Sequence, residues 1–323
     1  MKAKLLLLAL VAVAGYIGFA YTQDQYPLAR LSDAIEVVIH GPQARPVAVA
    51  AVAPATPVQQ DLAAASDNKD VLVLSAPPRD GEEGGIKRFG PIADYLSEKL
   101  GRKVVYKNPG TWGGYQSDMQ AGAYDIVFDG PHFISWRIEK LHHNVLVKLP
   151  GALKVVGFVR ADNKRIKEVS QLAGQGVCAH APPNLGLLSL QSEFDNPSRQ
   201  PNFMIMEGFG AIYQGVIEGR CVAGIVPKKN LLQKDPNGEH TRIVYEHSPF
   251  PQQGFTAGPR LSAEDQKKII AALMAPEAEA VLANFRQAYA FKGEFVPAAN
   301  AEYAGLGIYL KPVQGFYTNL AAK

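Results

Sequence analysis

Short apolar runs that end in turn residues, each followed by a helical stretch, limit what this chain can fold into. Val71-Leu72-Val73-Leu74 ends in Ser75-Ala76-Pro77-Pro78 and reads as a buried strand entering a loop. Phe89 to Leu100 places Ile92, Tyr95, Leu96 and Leu100 at helical spacing, and Gly101 stops it. Lys103 to Tyr106 reads as the next strand and Gly114 to Gln120 as a short helix. Tyr124 to Phe128 reads as a third strand, ending in Asp129-Gly130-Pro131, and Phe133 to Leu141 as another helix. Strands alternating with helices imply βαβ units and a mainly parallel sheet. The same order returns with different residues: strands over 153–160, 176–180, 203–206, 221–226 and 242–246, with helical stretches over 166–172, 184–194 and 209–218. A strand over 253–257 leaves this second group, and helices over 263–274 and 276–289 follow.

At 323 residues the chain is too long for one ordinary core, and two lobes are expected. Hydrophobic residues make up 47% and charged residues 20%, which suits a globular body. The net charge of +3 is spread out, with no run of Lys and Arg longer than two. That argues against a nucleic-acid partner, which needs a clustered basic face.

Lys2 and Lys4 precede the apolar stretch from Leu5 to Ile17, the pattern of an export signal. Gly18-Phe19-Ala20 suits cleavage after Ala20, while an apolar stretch of about 17 residues is also the lower limit for a membrane span. Residues 1–21 are therefore a signal peptide or an inner-membrane anchor, and both place the body in the periplasm. No Cys follows the apolar run, so a lipoprotein anchor is excluded. Residues 22–69 read as a disordered tether, because Gln43 to Pro57 is almost only Ala, Val and Pro.

Two cysteines, Cys178 and Cys221, suggest one disulfide in an exported chain; two buried thiols are the alternative. The sequence has no G-x-S-x-G, no phosphate-binding loop and no dinucleotide fingerprint, so no enzyme activity and no cofactor are expected. His142 and His143 are adjacent and face different ways, and no His-x₃-His or Cys-x₂-Cys spacing occurs, so no metal site is expected.

The phrases GPIADYLSEKLGRKVVY, MQAGAYDIVFDGPHF, VVGFVRADN, VSQLAGQGVCAH, GVIEGRCVAGIVP, GFTAGPRLSAEDQKKIIAALM and EFVPAANAEYAGL follow one another in that order. This order resembles the phosphate/phosphite/phosphonate-binding proteins of ABC importers over about 70–310. The resemblance implies a type II periplasmic-binding fold: two α/β lobes, each a mainly parallel sheet flanked by helices, joined by two hinge crossings. Lobe 1 would comprise 70–157 and 256–323 and lobe 2 158–255, with crossings near 155–160 and 253–258. Ligand would sit where loops at the carboxyl ends of the strands converge. The fold would also place the Cys178 and Cys221 strands side by side and parallel, within reach of a bridge.

In that family a hydroxyl-rich loop entering a helix holds the oxyanion. The matching stretch here is Ala181-Pro182-Pro183-Asn184-Leu185-Gly186-Leu187, which lacks hydroxyls and loses two N–H donors to proline. Asn184 can cap the helix, and the amides of Leu185, Gly186 and Leu187 remain as donors. Other ligand-binding candidates at strand ends are Ser75, Arg79, Trp112, Tyr115, Asp129, His132, His180 and Tyr213. Lys228 stands where the family often carries an acid that meets an amine, which favours an acidic group on the ligand. The aromatic members suit a flat or apolar part.

The expected function is capture of a small ligand, a phosphonate- or phosphate-like oxyanion, by a monomer that delivers it to an ABC permease. The alternatives are a membrane-anchored ligand sensor and a carrier of hydrophobic or lipid ligands on the same fold. A cleft lined mostly by carbon would favour the carrier.

Overall fold

The computed structural model describes residues 70–79 and 81–316. The expected signal or anchor and the tether lie outside the described residues. Among the described residues no helix is long and apolar enough to cross a membrane.

The elements follow in order as β1 Leu72–Ser75, α1 Glu82–Leu100, β2 Val104–Lys107, α2 Trp112–Gln120, β3 Ile126–Asp129, α3 Pro131–Leu141 and β4 Asn144–Lys148. Next come β5 Ala152–Leu153, β6 Val155–Arg160, a 3₁₀ turn Val169–Leu172, β7 Gly176–Ala179, α4 Leu185–Gln191, β8 Asn202–Ile205, α5 Phe209–Ile217 and β9 Ala223–Pro227. Then follow α6 Lys228–Lys234, β10 Thr241–Glu246, β11 Phe250–Pro251, β12 Gly254–Ala257, α7 Ala263–Met274, α8 Ala278–Val281, α9 Ala283–Ala288 and β13 Val296–Pro297. Two 3₁₀ turns, Asn300–Tyr303 and Leu306–Leu310, complete the order.

One six-stranded sheet runs β13-β4-β12-β3-β1-β2, and one five-stranded sheet runs β10-β6-β9-β7-β8. Each has a parallel centre: β1 with β2 and β3, and β7 with β8 and β9. The remaining pairings are antiparallel, so both sheets are mixed rather than mainly parallel. Returning strands cause this: β12 enters the first sheet between β3 and β4 and runs against both.

The chain passes between the sheets at the ribbon in which β5 pairs antiparallel with β11. The expected crossings near 155–160 and 253–258 fall a few residues late. All of β6 belongs to the second sheet and all of β12 to the first, so the expected lobe limits at 157 and 255 lie inside strands. An unbroken apolar run such as Val155–Val159 does not mark where pairing partners change, because each strand is covered on both faces. β4 and α6 were not expected; each is short, and α6 buries only Leu231.

α1 starts at Glu82 and carries Gly84, Gly85 and Pro91 through its length. Gly85 permits close packing: a Cβ there would lie 2.6 Å from both Tyr106 and Asn108 side chains. Gly101 ends the helix in the left-handed region at φ 64°, where glycine carries no Cβ clash. Gly254 is tighter, since a Cβ would lie 2.6 Å from the Val147 carbonyl oxygen in a strand paired on both sides. Gly254→Ala is expected to lower the unfolding free energy by about 1–3 kcal/mol. Urea titration checks this; a variant as stable as the parent would show that β12 can shift.

Cys178 in β7 and Cys221, two residues before β9, form a disulfide with Cα atoms 5.7 Å apart. The strands are parallel neighbours, as the resemblance implied. One buried cluster is shared by the two halves. It joins Val73, Tyr115, Val127, Phe133 and Trp136 from the first-sheet side with Val155, Val177, Leu187 and Ala223 from the second. Leu310 and Phe316 from the C-terminal segment belong to it too.

Candidate functional site

Parallel strands present their carboxyl ends to one edge of each sheet, and the loops leaving β1, β3 and β7 carry the chemistry. Ser75 ends β1, is buried, and donates its hydroxyl to the Lys107 carbonyl at 2.9 Å. Arg79 follows in the loop and is exposed. Among the described residues its guanidinium has neither a hydrogen bond nor an ion pair. Its Nη2 lies 3.9 Å from the point where a Cβ on Gly130 would sit.

Asp129 ends β3 and anchors a buried cluster. Its Oδ1 accepts from the Gly130 amide at 2.6 Å, and its Oδ2 accepts from Arg137 Nη1 at 3.0 Å and from the Tyr115 hydroxyl. The same Arg137 nitrogen donates to the Tyr115 oxygen at 3.0 Å. Asp129 and Arg137 side chains are both fully buried, so the pair is shielded from solvent. Burial raises the Asp129 carboxyl above the ordinary carboxylate range, against the opposing pull of Arg137. Sequence reasoning missed Arg137. Its signal is a lone cation closing the buried stretch Pro131–Arg137, eight residues after an acid at a strand end.

His132 opens α3 behind Gly130 and Pro131, and its Nε2 lies 2.9 Å from the Pro183 carbonyl on the second-sheet side. This hydrogen bond crosses between the halves. Burial pushes the imidazole down to about 3, so it is neutral near pH 7. His180 follows β7, half-buried, edge-on to Phe209 with ring centres 4.7 Å apart. Burial, and after it the charge of Arg79, lowers its pKa.

The proline turn behaves differently from the family pattern. Asn184 caps α4 by accepting from the Gly186 amide at 2.9 Å and the Leu187 amide at 3.3 Å. Leu185 and Gly186 are buried, and their helix has only seven residues. Two of the three amides counted as ligand donors are therefore already used.

Trp112 opens α2, 37% exposed, with its indole nearly parallel to Phe133 at 6.2 Å. A groove of about 660 Å³ is lined here by Trp112, Tyr115, Phe133, Pro182, Pro183 and Phe316. Two candidates lie elsewhere. Tyr213 stacks on Phe158 on the opposite face of the second sheet, among Ile212, Val216 and Cys221. Lys228 stands beside the crossing ribbon, with its ammonium 2.7 Å from Glu246.

Over residues 74–303 the chain matches the family model described as ABC transporter, phosphonate, periplasmic substrate-binding protein. The chain belongs to this family. Membership makes it a periplasmic substrate-binding component of an ABC importer, a role that entails a small-molecule ligand and a permease partner. No protein of curated function matches the sequence. Solved structures share the fold of this phosphonate-binding family member. The XAC2383 protein of Xanthomonas citri bound to ATP superposes with a TM-score of 0.62 at 15% identity, covering 77% of this chain and 100% of that one. PhnD1 of Prochlorococcus marinus in complex with methylphosphonate gives 0.56 at 15%, covering 76% and 98%. A binding-protein component of an ABC phosphonate transporter from Pseudomonas aeruginosa gives 0.53 at 12%, covering 73% and 84%. The type II periplasmic-binding fold implied by the sequence phrases is the fold found.

Proposed function

We propose that this chain captures a small solute through an oxyanion headgroup held between its two sheets, with Arg79 as principal cation and His132 and His180 beside it. The carrying observation is Arg79: an exposed guanidinium at the carboxyl end of β1, without a partner among the described residues, whose charge is felt by His132 and His180. A guanidinium fork matches two oxygens of a phosphonate or phosphate. Ser75 and Asp129 support the floor by fixing the backbone at both strand ends, since their side chains are spent on Lys107 and on Gly130, Tyr115 and Arg137. Trp112, Tyr115 and the Pro182-Pro183 turn line the adjacent groove and suit an apolar substituent on the headgroup. With two of the three α4 amides used by Asn184, affinity rests chiefly on side chains rather than on a helix terminus.

Arg79→Ala is expected to weaken binding of methylphosphonate or inorganic phosphate by about 3 kcal/mol, roughly a hundredfold. Isothermal titration of the periplasmic body measures it, after a thermal-shift screen of phosphonates, phosphate and carboxylates. Equal affinity in parent and variant would remove Arg79 from the site. Absence of any oxyanion from the screen would remove the reading itself.

A further inference from the structure

A carbonyl oxygen can only accept, so the contact between His132 and Pro183 requires the proton on Nε2. A neutral ring protonated there presents a bare lone pair at Nδ1. That atom is buried and has no hydrogen-bond partner among the described residues, in a residue only 3% exposed. Such an acceptor is costly to leave unpaired and calls for a donor.

Among the described residues no donor reaches it. The Asp129 oxygens can only accept and are occupied by Gly130, Tyr115 and Arg137. Arg137, on the same helix as His132, points its Nη1 at Asp129, Tyr115 and Met119. His180 lies across the halves against Phe209. Arg79 is the nearest cation. A Cβ on Gly130 would be 3.3 Å from His132 Nδ1 and 3.9 Å from Arg79 Nη2, so glycine leaves both groups close to one point.

Resting on the oxyanion reading above, we infer that the captured headgroup carries a proton, its P–OH donating to Nδ1 of His132 while an ionised oxygen faces Arg79. His132 then selects protonation state. It admits the phosphonate monoanion and either protonated form of phosphate, and disfavours the phosphonate dianion and any acid without a proton to give. The Pro183 carbonyl acts as the positioning group, since it fixes which ring nitrogen is bare.

The test is calorimetric titration of methylphosphonate, inorganic phosphate and methanesulfonate across pH 5.5 to 9, on the parent and on His132→Gln. Glutamine keeps a donor for Pro183 and removes the Nδ1 acceptor. In the parent, methylphosphonate affinity should fall about tenfold per pH unit above its second ionisation, whereas phosphate, whose dianion still carries a P–OH, should show no such fall. Methanesulfonate, isosteric but without a proton, should bind at least about a hundredfold more weakly than methylphosphonate. His132→Gln should lose at least about tenfold toward methylphosphonate and bring the two methyl ligands within about tenfold of each other. A flat methylphosphonate pH profile, or methanesulfonate binding as well as methylphosphonate, overturns the inference while leaving oxyanion capture intact. If none of the three probes binds, both fall together. Should the variant fail to fold, the ring-nitrogen resonances of the parent decide. The Nε2–H tautomer with a ligand-induced shift at Nδ1 supports the inference, and the Nδ1–H tautomer overturns it.

Discussion

Asp129→Ala is expected to destabilise the protein by about 3–5 kcal/mol, because it leaves the guanidinium of Arg137 buried without its counter-charge. Both side chains of the pair are at 0% exposure, and Nε and Nη2 of Arg137 already lack partners among the described residues. The same change removes the acceptor for the Gly130 amide and the Tyr115 hydroxyl. A loss of this size is a large part of the roughly 5–15 kcal/mol by which ordinary domains are stable. Urea unfolding at neutral pH reads it. Asp129→Ala combined with Arg137→Met should recover part of the loss, since an apolar side chain carries no desolvated charge. A single variant within 1 kcal/mol of the parent would mean that solvent or a rearranged Tyr115 compensates Arg137, and the cluster would lose its structural role. Ligand binding should weaken as well, through displacement of Gly130 and His132.

Loss of the Cys178–Cys221 bridge is the second large effect. The bridge spans 43 positions, and closing a loop of that length restricts the unfolded chain by about 4 kcal/mol in the chain-entropy model. Cys178→Ser with Cys221→Ser should therefore lower the unfolding free energy by roughly 2–4 kcal/mol, allowing for the cavity and solvation terms the model omits. Both sulfurs are buried against Ile212 and Val216 on the α5 face of the second sheet, where Phe209 also packs between this cluster and His180. Methylphosphonate affinity of the folded double variant should stay within a few-fold of the parent, because Arg79 and His132 follow strands of the other sheet. Denaturant titration with and without reductant measures stability, and calorimetry measures binding. If reduction leaves the midpoint unchanged, the bridge is not what restrains the unfolded chain.

Much of the site could be located from strand ends alone. Ser75, Asp129 and His180 sit at or just after the last residue of a strand, and Arg79 and His132 follow within a few residues. The loop rule applies to each because a strand's carboxyl end is set by local signals such as Ser-Ala-Pro-Pro and Asp-Gly-Pro. The same rule placed Lys228 at a strand end, but pairing with Glu246 depends on β10, a partner distant in sequence. Tyr213 shows another limit. Aromatic periodicity on α5 identifies an apolar face but not which side of the sheet that helix covers.

Local patterning therefore determined the alternation of strands and helices and the loops that carry charge. Those features arise from residues a few positions apart, and Pro, Gly and apolar spacing record them directly. Only the tertiary structure decided the antiparallel return of β12, the ribbon of β5 with β11, the burial of Arg137 against Asp129 and the hydrogen bond from His132 to Pro183. Each joins segments whose approach depends on how two sheets share one buried interior, and nothing within either segment's own residues encodes that distance.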